Sequence, residues 1–172
     1  MSLYDKGIRQ GILLRCSELS DAIKIEIQEN RATPDKRSKP VLDDHLLVVL
    51  SQNCDINSDS DNFIETVVLK EVPTRKVSDK VQKTNNVKKL QIPINNVFWE
   101  CEAYLISHIQ KQSLLDCDSL PIVDVLSDSS KEILLQWRIN RYVREPLPDH
   151  FNQKFIFEYL RDEQNGFQAF VV

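Results

Sequence analysis

Five consecutive apolar residues, Leu46-Leu47-Val48-Val49-Leu50, stop abruptly at a polar stretch from Ser51 to Asn62 that is full of Asn, Asp and Ser. A strand with one wet face reads as alternation, whereas an unbroken apolar run rich in β-branched valine suits a strand covered on both faces. The run therefore predicts a buried central β-strand that delivers its end into a polar turn. Phe63-Ile64-Glu65-Thr66-Val67-Val68-Leu69 again has strand composition and should pair antiparallel with it across the polar loop. Leu90-Gln91-Ile92-Pro93-Ile94 adds a short extended piece whose proline suits a sheet edge. From Val97 to Ile109, Glu100 and Glu102 alternate with Trp99, Cys101, Ala103 and Leu105, which favours a strand; a helical reading through Phe98, Cys101, Leu105 and His108 stays open. Gly11 to Arg15 is a short apolar segment, and Ile23-Lys24-Ile25-Glu26-Ile27 alternates strictly, which predicts another half-buried strand. Asn30 to Pro40, with two prolines and mixed charge, reads as an exposed loop.

The periodicity changes near residue 127. Ser127-Asp128-Ser129-Ser130 offers several N-caps, and with Ser129 as the cap Glu132 occupies the capping-box position. Ile133, Leu134, Trp137, Ile139, Tyr142 and Val143 follow a helical stripe that leaves Arg138 and Arg141 largely on other faces, and Pro146 and Pro148 end it. Asp149 can cap a second helix that turns Phe151, Phe155 and Tyr159 inward. The elements together predict one α+β domain over residues 1–172: a small antiparallel β-barrel or strongly bent sheet through 1–126, interrupted by a basic loop at 70–89, with two helices from 127–165 packed on it.

With 41% apolar and 28% charged residues, the chain has an ordinary globular balance. Its longest apolar run is far short of the ~20 residues that cross a bilayer as a helix, and Met1 to Lys6 has no apolar leader core, so a cytoplasmic chain is expected. The four cysteines, at 16, 54, 101 and 117, form no C-x-x-C pair and no Cys/His cluster, which fits reduced thiols better than a zinc knuckle or a disulfide framework. No metal is expected at His45, His108 or His150, which lack ligand spacing. Three glycines make no phosphate-cradling loop, so neither a Rossmann nor a P-loop nucleotide site is expected, and no cofactor is implied. The net charge of −4 argues against a surface wholly given to nucleic acid.

Three groups could carry function. At the end of the buried run, Ser51, Gln52, Cys54 and Asp55 gather a hydroxyl, a carboxamide, a thiol and a carboxylate where a strand becomes a loop, a suitable place for ligand contacts. A nucleophilic Cys54 would need a cation or helix dipole beside it, and Asp55 works the other way; packing of the thiol and satisfaction of turn amides is the simpler reading. Near the C-terminus Arg141, Tyr142 and Arg144, with Trp137 and Arg138 before them, could close on a phosphate or on a carboxylate such as Asp55. Between Lys70 and Lys89, lysines that include Lys76, Lys80, Lys83, Lys88 and Lys89 outnumber Glu71 and Asp79, and could follow a nucleic-acid backbone, although no aromatic residue interleaves to stack bases.

Taken in order, Gln10-Gly11-Ile12, Leu50-Ser51-Gln52-Asn53-Cys54-Asp55-Ile56, Arg141-Tyr142-Val143-Arg144 and Pro146-Leu147-Pro148-Asp149-His150-Phe151 resemble a diffuse set of bacterial and phage proteins with a T/S-Q-x-C-D motif and a later R-Y-x-R…P-x-x-F segment. The first half also resembles the SH3-like barrels of the MazF/PemK toxins, through an opening strand, a long loop, Lys39-Pro40-Val41 and an apolar strand ending at Ser51. The first resemblance implies an accessory subunit that binds a larger protein in a prokaryotic, anti-phage defence type of complex. The second implies an SH3-like barrel and an endoribonuclease or RNA binder using Arg31 or Arg37 with Ser51. The chain departs from the toxin pattern at Ile12, which stands where an acidic residue is usual, in the Leu42-Asp43-Asp44-His45 insertion, and in its helical C-terminal part.

Overall fold

A computed structural model describes residues 2–31, 33, 39–82 and 86–143. Six strands, β1 (Ile12–Arg15), β2 (Leu46–Val49), β3 (Phe63–Glu71), β4 (Lys89–Ile94), β5 (Val97–Gln110) and β6 (Ile122–Val125), form one antiparallel sheet in the order β4-β5-β3-β2-β1-β6. The apolar run does become a central strand: Leu47, Val48 and Val49 are fully buried, and β2 pairs with β3 from Leu46–Leu69 to Val49–Thr66. Leu13, Val48 and Val67 stand side by side on one face while Leu14, Leu47 and Val68 share the other, and all six are inaccessible to water. Covering both faces removes the need for alternation, which explains the run.

β5 is a strand, and its length lets it bend. Val67 pairs with Ile106 but Leu69 pairs with Cys101, so an irregular bulge of β5 between these pairs faces the short span from Val67 to Leu69 of β3. Beyond the bulge β5 forms a hairpin with β4 through Asn95 and Asn96, both at positive φ (48° and 65°), the conformation of a two-residue turn whose twist matches its strands. Pro93 is exposed on β4, an edge strand as predicted. The bend curls the sheet into a half-barrel, so the Asn95 side chain at one end of the strand order donates to Asp124 Oδ2 at the other, 2.7 Å away.

Two longer helices flank the sheet. The stretch predicted as a strand at Ile23–Ile27 is instead part of helix α1 (Asp21–Glu29). Its alternating isoleucines also satisfy i, i+4 spacing: Ile23 and Ile27 are buried, Ile25 between them is 53% exposed, and the Ser20 hydroxyl caps the helix by accepting from the Ile23 N–H. After the one-turn helices α2 (Asn53–Asn57), α3 (Asp79–Gln82) and α4 (Lys111–Leu115), the long helix α5 (Asp128–Val143) begins two residues before the predicted start, because Ser127 and not Ser129 accepts the Ser130 N–H. Leu134 and Trp137 of α5 are buried, and Trp137 Nε1 donates to the Asn86 carbonyl at 2.8 Å. The second helix expected after Asp149 lies outside the described residues.

Candidate functional site

The polar segment after β2 is a joint between strand ends. Ser51, 7% exposed, accepts the Glu65 N–H on its Oγ at 2.7 Å, while the Glu65 carbonyl accepts from Leu50 N at 2.8 Å and Ser51 N at 3.3 Å. One hydroxyl thus continues the β2–β3 ladder past the last strand pair. Asn53, at the start of α2, accepts the Gln10 N–H at 2.9 Å, and Gln10 Nε2 donates to the Leu50 carbonyl at 3.2 Å, so two of the quoted motifs meet in space. Ile56 anchors α2 in the core, and Lys111 Nζ ties the Asp55 and Ser58 carbonyls at 2.5 and 2.7 Å. Gln52, Cys54 and Asp55 are left exposed on the rim, with Cys54 Sγ 3.4 Å from Asp55 Oδ1 and 3.7 Å from Gln52 Oε1.

Behind this joint, Arg138 of α5 pairs with Glu65 of β3, whose side chain is only 8% exposed. The sequence places Arg138 off the core stripe; the structure turns it to the sheet because a carboxylate stands there. By alternation Glu65 shares the face of Val67, so α5 covers the concave side of the half-barrel at the Ser51 end. Lys131 lies against Gly11 (φ +80°), where an added Cβ would come within 2.9 Å of its aliphatic stem. Arg141 and Tyr142 belong to the last turn of α5, and Arg144 lies outside the described residues.

The basic stretch is divided. Lys70 and Lys89 are drawn into a polar network on the bulge of β5: Lys89 Nζ reaches Glu102 at 2.6 Å and Glu100 at 3.0 Å, Lys70 Nζ reaches Glu102 at 3.1 Å, and the Tyr104 hydroxyl donates to Glu102. Burial alone would raise the Glu102 carboxyl, but the hydrogen bonds from Lys89, Tyr104 and Lys70 outweigh it and hold the group at about 2. The hydrogen bond to Glu102 in turn raises the Lys89 ammonium above its ordinary range. Arg75, Lys76 and Lys88 stay exposed; Lys80 lies in α3, and Lys83 is outside the described residues. Arg31, expected in an exposed loop, is 1% exposed, bridges to Ser107 of β5 and donates to the Lys39 carbonyl; Arg37 is outside the described residues. A charge-bearing loop residue is pinned here because β5 offers it a strand partner.

The opposite end of the concave face is open. A cleft of about 400 Å³ lies between the β4–β5 hairpin and the β1–β6 edge, with Leu46, Val97, Trp99 and Val123 among its apolar walls and Asp44 and Asp124 among its polar ones. His45 also lines it and is 6% exposed; its Nδ1 accepts the Leu42 N–H at 3.0 Å, which leaves the proton of the neutral ring on Nε2. Burial lowers the pKa of this imidazole, against a smaller opposing effect of Asp44, so the ring is neutral at physiological pH. Neither His45, for which only the lack of metal-ligand spacing is legible, nor Ile122–Val125 stands out in the sequence. The Asp-Asp-His stretch directly before the buried strand is the signal that could have found this end.

Comparison with known protein families, with curated proteins and with solved structures finds no match to this chain. Among the described residues, no group of His, Cys, Asp and Glu could hold a metal ion and no helix is long and apolar enough to cross a membrane. All four cysteines are free; Cys16 is buried, and its burial pushes the thiol up to about 12.

Proposed function

We propose that the chain is a non-catalytic binding subunit that docks a larger protein within a prokaryotic multi-protein complex of the anti-phage defence type, with the half-barrel acting as an SH3-like module. The observation that carries this reading is the apolar wall at the open end, where Val97 of the hairpin and Val123 of β6 are each 37% exposed. Valines facing each other from an edge strand and from the hairpin across the cleft are costly to leave in water, and such patches mark surfaces covered by another protein. The residues at the Ser51 end support the same view. Ser51, Asn53, Glu65 and Arg138 hold strand ends and α5 in place, and Gln52, Cys54 and Asp55 are exposed as a further contact surface. The ribonuclease reading has less support, since Arg31 is built into the fold.

Co-expression with the products of neighbouring genes, followed by size-exclusion chromatography, tests the proposal. Joint elution with one of them is expected, and Val97→Lys should weaken the complex. A chain that elutes alone beside every candidate overturns it.

A further inference from the structure

Resting on the binding-subunit reading, we infer that the cleft at the open end of the half-barrel takes an extended segment of the partner protein in which an apolar residue is flanked by lysine or arginine. At about 400 Å³ the cleft has the size of a site for one or two large side chains, and Leu46, Val97, Trp99 and Val123 give it apolar walls.

Charge selects the flanking residues. Asp43, Asp44 and Asp124 line the cleft against one guanidinium, that of Arg15, which is held by Glu18 at 2.7 Å. Lys24 neutralises Asp43 at 2.8 Å, but Asp44 is 80% exposed and has only the His45 ring, 3.9 Å away. Asp124 is bound by neutral donors, Asn95 Nδ2 at 2.7 Å and the Val125 N–H at 2.8 Å, which keep it ionised without cancelling its charge. Two carboxylates beside an apolar wall attract a cationic segment and repel a phosphate backbone.

The side chain of His45 adds a hydrogen-bond donor to the cleft wall. More than nine-tenths buried, it has its Nδ1 occupied by the Leu42 N–H, while Nε2 has no hydrogen-bond acceptor within reach; the 3.9 Å to Asp44 is too long. Nε2 is not sealed off but opens onto the cleft, where the carbonyl of an extended peptide can accept its hydrogen. The β6 edge itself is unsuited to adding a strand: it is four residues long, its pairing with β1 shifts register after Leu13, and the Val125 N–H is capped by the Asp124 side chain. The segment is therefore held by side chains in the cleft and not by extension of the sheet.

The test uses the full chain and fluorescence anisotropy with three labelled probes: the peptide Lys-Arg-Leu-Val-Arg-Lys, its charge-inverted form Glu-Asp-Leu-Val-Asp-Glu, and a single-stranded RNA hexamer. The basic peptide should bind at least about tenfold more tightly than either of the others. Asp44→Lys and Val123→Asp should each weaken it by about tenfold or more with unchanged thermal unfolding, while Asp59→Lys, an equal charge change at another exposed site, should not. Equal effects of Asp44→Lys and Asp59→Lys, or preference for the acidic peptide or RNA, overturn the inference. If a partner complex survives both cleft substitutions, the cleft assignment fails while the binding-subunit reading stands; if the unaltered chain forms no complex, that reading fails first.

Discussion

Replacing Arg138 by methionine keeps the aliphatic stem of α5 against the sheet and removes only the guanidinium. Glu65 is then left as a carboxylate in a side chain 8% exposed, with its cation gone. Breaking a fully buried pair from one side costs about 3–5 kcal/mol; because Arg138 is 28% exposed and water can enter from its side, about 2–3 kcal/mol is expected here. The opposite change, Glu65→Gln, strands a cation that can swing toward solvent on its long stem, so it should cost only about 1 kcal/mol. Combining Arg138→Met with Glu65→Leu removes both charges and should recover to within about 1 kcal/mol of the parent. Urea unfolding at neutral pH, with slopes compared to confirm an unchanged transition, reads all three differences. Equal small losses below about 0.5 kcal/mol from both single changes, or a double variant worse than their sum, would refute the view that this pair fastens α5 to the sheet.

Acid offers a second check. Glu102, held at about 2 against an ordinary 4.5, favours the folded chain above its ordinary value and loses that contribution as pH falls from about 4.5 toward 2; Glu102→Gln should flatten this part of a stability-versus-pH curve. Ser51→Ala removes the acceptor of the buried Glu65 N–H and should lower stability by about 1–2 kcal/mol in the same urea assay. Gly11→Ala forces a side chain into φ +80° and against Lys131, and should lower the melting temperature by an amount equivalent to about 1–2 kcal/mol. Ser127→Ala, which deletes the cap of α5, should cost about 1 kcal/mol, while Ser129→Ala should be nearly silent; calorimetry distinguishes the two.

The central strands were legible because burial on two faces leaves an unmistakable mark: Leu46–Val49 and Phe63–Glu71 carry their composition openly. Ile23–Ile27 misled because period two and i, i+4 spacing coincide over five residues, and only Ser20, outside the window, separates them. β6 left little trace, since a four-residue edge strand needs no burial pattern, and Ile122, Val123 and Val125 are all substantially exposed. In a serine-rich stretch the identity of the cap depends on where the helix axis points, so Ser127 and Ser129 could not be separated by spacing. The Ser51 joint was visible as a polar stop after an apolar run, yet its partners Glu65 and Gln10 are set by strand register and chain topology. The same is true of Arg138 with Glu65 and of the Glu102 network, where charges far apart in the chain neutralise one another. His45 and its cleft arise from sheet curvature, which begins at the β5 bulge and has no local pattern of its own.

Hydrogen exchange on the purified complex with its partner, compared with the free chain, tests most directly whether the open end of the half-barrel is the docking face. Slowed exchange is expected across residues 42–46, 94–99 and 122–124, with the Ser51 joint unchanged. Protection confined to residues 52–58, to the exposed lysines around Lys76 and Lys88, or spread evenly over the sheet would contradict it.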